Sequence, residues 1–364
     1  MQLSDTPKYL QLKEFIKGLI QHNQLKPGEK IYSENELAEK FSISRHTVRQ
    51  AVGELVNEGW LYRSQGKGTF VARQPNIQKE RSKIIGVVTT YLNDYIFPSI
   101  IKGIDVALSS KGYSIVLGHT NSEIEKERAC LNNLLDKNID GLIVEPTKSA
   151  LPNPNLDIYR ELSAKGIPII FIHGYYSDLH YSYVIEDDIL AGYLATKHLI
   201  DLGHDHVVGI FKVDDIQGHG RFKGFTKAYK EKGLPIQNHS VIWFSTEDKD
   251  TMFDSSRYDE LLMNRLENCT ALVCYNDQIA IKIIDMLRKR GIKVPQDISI
   301  VSFDDSDIST ATEVKLTTVA HPKEKLGERA AELLVAMIEG KEIHVEEIME
   351  PKLIVRESTR RWMK

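Results

Sequence analysis

Two groups of polar residues have the types and spacing that suit binding chemistry. The first lies in "SISRHTVRQAVGELVNEGWL", residues 42–61. There Arg45, His46 and Arg49 share one face of a helix, while Val48, Ala51, Val52, Leu55 and Val56 recur at helical spacing and pack inward. Ser44 suits an N-cap, its hydroxyl accepting a first-turn amide. The basic residues then sit at the positive end of the helix dipole, which disfavours each cation by ~0.3–1 kcal/mol. An anionic partner would offset that cost; a solvated polar face is the other reading of the same helix.

The second group is scattered, but its members all follow short apolar runs that read as strands. They are Tyr91 and Tyr95, Glu145 in "VEPTK", His173 in "FIHG", Arg221 beyond "FKVDDIQGHG", Asn276 and Asp277 in "CYND", and Asp304 in "SFDD". In open α/β sheets, ligands sit beyond the carboxyl ends of the strands. Charged and amide groups mixed with tyrosines there suit a hydroxyl-rich ligand such as a sugar. Taken singly, each residue also fits a helix cap or a local ion pair. No Gly-rich phosphate loop follows the first strand, which argues against a dinucleotide.

The elements that must position these residues fall into two parts. Residues 1–73 read as helix, helix, helix and hairpin, with a capping box at Ser33 and Glu36 and a turn in "SQGKGT". A helix-turn-helix plus hairpin is a winged module, whose second helix enters the major groove of DNA. Residues 74–83 are a polar linker. Residues 84–364 alternate continuous apolar strands with helices, which implies parallel sheets covered on both faces. About eight strands before a tail exceed one tidy sheet of this class, so two doubly wound lobes are expected.

Composition narrows the function. The chain has 364 residues, 41% hydrophobic and 27% charged, with net charge −4. Residues 1–73 carry +3 and the remainder −7, a mildly basic module on an acidic partner. No apolar run approaches a bilayer span, and the N-terminus has no signal-peptide pattern, so a cytoplasmic protein is expected. Cys130, Cys269 and Cys274 form neither a metal spacing nor a disulfide framework. There is no nucleophile elbow, and His198, His204 and His206 read as helix-end residues, which leaves an enzyme unsupported. A transport binding protein would leave residues 1–73 without a role.

These motifs carry resemblances. "YSENELAEKFSISRHTVRQAVGELVNEGWLYRSQGKGTFVA" resembles the GntR family of winged regulators. The likeness implies that Lys8, Glu34, Arg45, His46, Thr47 and Arg49, with Gln65, Gly66 and Lys67 of the wing, face DNA. "DGLIV", "IEDDILAGYLATKHLIDLGH", "GRFKGF" and "VCYNDQIAIKIIDMLRKRGIKVPQDISIVSFDD" resemble the effector domain of the LacI/galactose-repressor family. That likeness implies a periplasmic-binding-protein-like fold of two hinged lobes, with crossovers near residues 176, 305 and 340. It puts Arg221, Asn276 and Asp304 on sugar-contacting positions, with Phe97 and Lys148 beside them and Glu145 and His173 as departures that tune the ligand. The pairing of the two parts, with "YLNDYIFPSIIKGI" and "GLIVEPTKSAL", resembles a Gram-positive family of arabinose-responsive repressors. It implies a homodimer on a palindromic operator, L-arabinose as effector, no other cofactor, no metal and no membrane. Residue chemistry alone stops at a small polyol, and it leaves open whether the ligand releases DNA or acts as a co-repressor.

Overall fold

The computed structural model describes residues 7–21, 24–64, 67–72, 81–92, 96–237, 240–249, 251, 256–341 and 344–363. Gln65, Gly66, Tyr95 and most of the expected linker lie outside them. The chain divides into two compact units, Met1–Arg81 and Ser82–Lys364.

The first unit holds α1 (Lys8–Gln21), α2 (Glu34–Phe41), α3 (Arg45–Asn57), β1 (Leu61–Ser64) and β2 (Gly68–Val71). Ser33 and Glu36 close the capping box at the start of α2. Ser42, in left-handed conformation with φ 49°, ends that helix and begins the turn into α3. Strands β1 and β2 pair antiparallel, Leu61 opposite Val71, as the wing. Leu12, Ile16, Leu37, Val48, Val52, Leu55, Leu61 and Val71 form one core, so every element contributes to it.

The second unit contains two six-stranded sheets. The first lobe uses β3 (Ile84–Thr89), β4 (Ser114–His119), β5 (Gly141–Val144), β6 (Ile169–Ile172), β7 (Ser182–Glu186) and β13 (Glu346–Met349), in the order β13-β7-β6-β5-β3-β4. Its pairings are all parallel. The second lobe uses β8 (Val207–Lys212), β9 (Val241–Phe244), β10 (Ala271–Cys274), β11 (Ser299–Asp304), β12 (Thr317–Ala320) and β14 (Lys352–Ile354), in the order β14-β12-β11-β10-β8-β9. Only β14 runs antiparallel there. Each sheet is apolar on both faces, giving two cores per lobe.

The chain passes between lobes after β7 at Asp187, after β12 at His321, and between β13 and β14 at Glu350–Pro351. Each crossing lies further along the chain than the sequence reading placed it, near 176, 305 and 340. "YSYVIE" completes the first sheet before the first crossing, and "LTTV" belongs to the second. A strand is alike in composition on either side of a hinge, so the alternation of elements counts strands correctly without allocating them. All three crossings leave from one edge region of each sheet, so the hinge is on that side.

Helix packing sets the position of one key residue. Helix Asp188–Asp201 crosses helix Ile216–Glu231 so closely that a Cβ on Gly192 would stand 2.1 Å from the carbonyl oxygen of Arg221. Gly192 thereby sets how near Arg221 comes to the first helix of its lobe.

Candidate functional site

The DNA-facing candidates of the first unit gather at the start of α3. Ser44 accepts the Thr47 amide at 3.1 Å, and its hydroxyl is 2.9 Å from the Thr47 hydroxyl. The Thr47 side chain is therefore committed partly to the cap. Arg45, His46 and Arg49 are exposed, as is Lys67 at the wing tip. Glu34 is the partner of Arg49, with Nε donating to its carboxylate at 2.8 Å. Lys8 donates to the Ser42 carbonyl at 3.3 Å and so braces the turn. The far half of α3 is anchored to α1, where Lys13 donates to Glu54 and Glu58 at 2.6 Å each. These carboxylates hold the Lys13 ammonium above its usual range.

The second candidate site is a cleft of about 790 Å³, open mouth included, bounded by strand ends of both lobes. On the first-lobe wall, Glu145 follows β5 and is almost buried. Its Oε2 accepts the Thr90 amide at 2.7 Å and the Thr90 hydroxyl at 2.6 Å. Its Oε1 lies 3.1 Å from Nδ1 of His173. His173 follows β6 in left-handed conformation, φ 63°, with its ring between Phe97 and His321 at centroid distances of 5.9 and 4.8 Å. Such conformations concentrate where surrounding structure over-determines them. Burial above all keeps His321 well below its usual range and hence neutral.

On the second-lobe wall, Arg221 is 2% exposed. Its Nε donates to Asp188 at 2.9 Å, one terminal nitrogen donates to the Tyr275 carbonyl, and the other lies 3.6 Å from Asp304 and 3.9 Å from Glu186. The guanidinium plane rests over Phe303, 4.4 Å from the ring centroid. Burial opposes its charge, and Asp188 and Asp304 more than reverse that, so it stays protonated. Glu186 is driven well up, by burial first and Asp188 second. Asp188 also moves up, burial outweighing the attraction of Arg221. Lys212 repeats the arrangement, with Asp215 at 2.7 Å and Asp214 at 3.4 Å. Asn276 caps its helix by accepting the Ile279 amide at 2.9 Å, so it meets the cleft as an Nδ2 donor.

Tyr91, Glu145, His173, Arg221, Asn276 and Asp304 therefore converge on the cleft from strand ends, and Phe97, which the resemblance placed beside them, lines it too. Two others do not. Asp277 turns into the second lobe, fully buried, accepting from Ser302, Ser306 and Thr318. It follows the cap and is in the helix's first turn, so its side chain points away from that of Asn276. Lys148 pairs with Glu247 of the other lobe at the rim and lines no part of the cleft. Beside it, Ser149 accepts the Ile216 amide at 3.0 Å, and the Ala150 amide donates to the Asp214 carbonyl at 3.1 Å. These rim contacts join the ends of β5, β8 and β9, away from the hinge edge of each sheet.

Sequence reasoning missed Thr90, Lys212, Asp215, Gln217, Lys249 and Tyr275 of the lining. A lysine ending the apolar run "VVGIFK" and two aspartates after it carried a readable signal for Lys212 and Asp215. Thr90 and Gln217 carried none.

Among the described residues, no helix is long and apolar enough to cross a membrane. Comparison with known proteins agrees with both units. Residues 8–71 match the family described as bacterial regulatory proteins of the gntR family, and residues 196–359 match a periplasmic binding protein-like domain. The chain is 45% identical over 362 residues to an arabinose metabolism transcriptional repressor of Halalkalibacterium halodurans, covering 97% of this chain and 96% of that one. It is also 45% identical to the protein of that name from Geobacillus stearothermophilus, covering 99% and 100%. Among solved structures, a transcriptional regulator CelR–cellobiose complex aligns with a TM-score of 0.67 and 26% identity, covering 86% of this chain and 90% of that one. These similar proteins are transcription regulators, not enzymes.

Proposed function

Since the chain belongs to the arabinose metabolism transcriptional repressors, we propose that its cleft takes L-arabinose and that the filled cleft releases the winged unit from operator DNA. One observation carries the ligand class. Two cations of the cleft already have their own carboxylates, Arg221 with Asp188, Glu186 and Asp304, and Lys212 with Asp214 and Asp215. A phosphate or carboxylate ligand would have to compete with those carboxylates for Arg221 and Lys212. A neutral polyol finds fixed donors and acceptors, with the Tyr91 and Phe97 rings for its C–H faces.

Arg45, His46 and Arg49 supply base and phosphate contacts in the major groove, and Lys67 supplies a phosphate contact from the wing. A symmetric dimer presents two such units to a palindromic operator. Sugar held between both walls favours the closed lobes, and DNA favours the arrangement in which both units fit their half-sites. The coupling is a free energy of ~1–3 kcal/mol, and DNA must weaken sugar binding by the same factor.

The test is fluorescence anisotropy on labelled DNA from upstream of the chain's own gene, at fixed salt because phosphate contacts make affinity steeply salt-dependent. Tight binding released by L-arabinose and not by glucose is expected. Tight binding indifferent to L-arabinose would remove the ligand assignment, and tighter binding with it would reverse the sign of the coupling.

A further inference from the structure

The first-lobe wall contains a relay whose polarity follows atom by atom. The Thr90 amide is an obligate donor, so Glu145 Oε2 is an acceptor, and the Thr90 hydroxyl donates to the same oxygen. A carboxylate has only acceptors to offer. The contact between Glu145 Oε1 and His173 Nδ1 therefore takes its proton from the ring. A neutral imidazole carries one N–H, which leaves Nε2 as a bare lone pair. That atom is buried without a hydrogen-bond partner, on a ring that lines the cleft. The left-handed backbone and the flanking Phe97 and His321 rings hold it in place.

We propose that His173 Nε2 is an obligate acceptor that reads one hydroxyl of the ligand as a donor, and that Glu145, held by Thr90, is the positioning residue that fixes this polarity. The inference rests on the sugar reading above and sharpens it. The ligand class is a neutral polyol with a free hydroxyl at that one position. Deoxy, deoxyfluoro and O-methyl analogues there cannot donate and leave a buried lone pair unpaired, which is how binding sites reject such analogues strongly.

Substitution of Glu145 reverses the relay. In Glu145→Gln the two Thr90 donors hold the amide oxygen, so the amide NH2 faces His173. Nδ1 must then accept, the ring proton moves to Nε2, and the same ring becomes a donor to the ligand. A hydroxyl satisfies either polarity, whereas fluorine can only accept.

The experiment is long-range 1H–15N correlation of the imidazole in the full chain, labelled with 15N-histidine, at pH 8. The His173 signals are identified by their loss in His173→Gln. The wild type should show protonated Nδ1 and bare Nε2, and Glu145→Gln the reverse. In parallel, calorimetry with L-arabinose and its monodeoxyfluoro analogues should find one position where fluorine weakens wild-type binding at least about 100-fold. That discrimination should fall at least tenfold in Glu145→Gln. A wild-type ring protonated at Nε2, a ring carrying both protons at pH 8, or the same tautomer in both proteins overturns the relay. The wild-type spectrum decides this even if the variant does not fold. Failure of the wild type to bind L-arabinose, with the tautomer as expected, overturns the sugar reading and leaves the polarity of the ring standing.

Discussion

Arg45 and Arg221 stand at opposite extremes of exposure. Arg45 opens α3, the third helix of the winged unit, exposed to solvent beside His46 and Arg49. Arg221 is 2% exposed and surrounded by three carboxylates. A cation kept for a polyanion is left hydrated and accessible, and its partner supplies the countercharge. A cation kept for a neutral ligand is neutralised in advance, and what it offers is fixed geometry. The two regions also differ in how they are held. The start of α3 is set by local hydrogen bonds at a helix end, whereas the cleft relies on strand ends drawn from across the second unit.

Arg221→Ala tests this contrast with the largest effect. It leaves Asp188, Asp304 and Glu186 buried without their cation, a change that costs about 3–5 kcal/mol when a buried pair is broken. Urea unfolding should show that loss in the sensor unit, and calorimetry should show sugar binding abolished. Anisotropy should find DNA affinity nearly intact. Equal damage to DNA binding would break the contrast.

Asp277 in the second unit and Glu36, Glu54 and Glu58 in the winged unit should respond to acid with opposite signs. Burial and Asp304 push the Asp277 carboxyl from 3.8 up to about 6, against hydrogen bonds from Ser302 and Ser306. A carboxyl raised by folding adds stability that is fully present below its ordinary value and lost as pH rises through about 6. Asp277→Asn removes this titration. The wild type's advantage over the variant should therefore shrink by about 2 kcal/mol between pH 4 and pH 7. In the winged unit, hydrogen bonds from Ser33 hold Glu36 low, and those from Lys13 hold Glu54 and Glu58 low. Stability from these three is present above the ordinary carboxyl range and is lost as pH falls through their lowered values. Melts of Asp277→Asn and of Glu36→Gln, each set against wild type across this range, check both signs, and parallel difference curves would contradict them.

Arg45→Ala should weaken operator binding roughly 10- to 100-fold and leave sugar affinity unchanged, because a bidentate base contact contributes about that much discrimination. Anisotropy across salt concentrations separates the two kinds of contact. Loss of a phosphate contact lowers the salt slope by about one, whereas loss of a base contact relaxes sequence preference.

The smallest effect is expected at the rim. Glu247→Gln removes the partner of Lys148 across the cleft mouth. An exposed ion pair contributes about 0–1 kcal/mol, so stopped-flow dissociation of L-arabinose should quicken by less than about fivefold. The difference from wild type should fade in high salt. A larger change that resists salt would make the rim part of the binding site.

The winged unit was legible because its information is contiguous. Ser33, Glu36, Ser44 and the apolar stripe of the second helix lie within a few turns of one another, and each acts on its neighbours in sequence. The cleft was legible where a strand ends in an unusual residue, as at Glu145, His173 and Asp304. It was less so where adjacent residues share a strand end. Asn276 and Asp277 both looked suited to a ligand, but a helix's first turn sends one outward and buries the next. Lys148 was misread because its partner lies in the other lobe, and no local pattern announces a contact with Glu247. The crossings were displaced for a related reason. The segment after β7 differs from other strand-to-helix connections only in where it leads.

The late crossing at Glu350–Pro351 has a consequence for the order in which the chain can fold as it is made. The first lobe lacks β13, and the second lacks β14, until residues 346–354 have been synthesised. The winged unit is complete by Val71. N-terminal parts fold first during synthesis, so a nascent chain completes the elements of its winged unit long before either lobe of the second unit is whole. The finished cleft is the last part of the molecule to form, and a chain cut short before β13 would lack it while keeping α1 to β2.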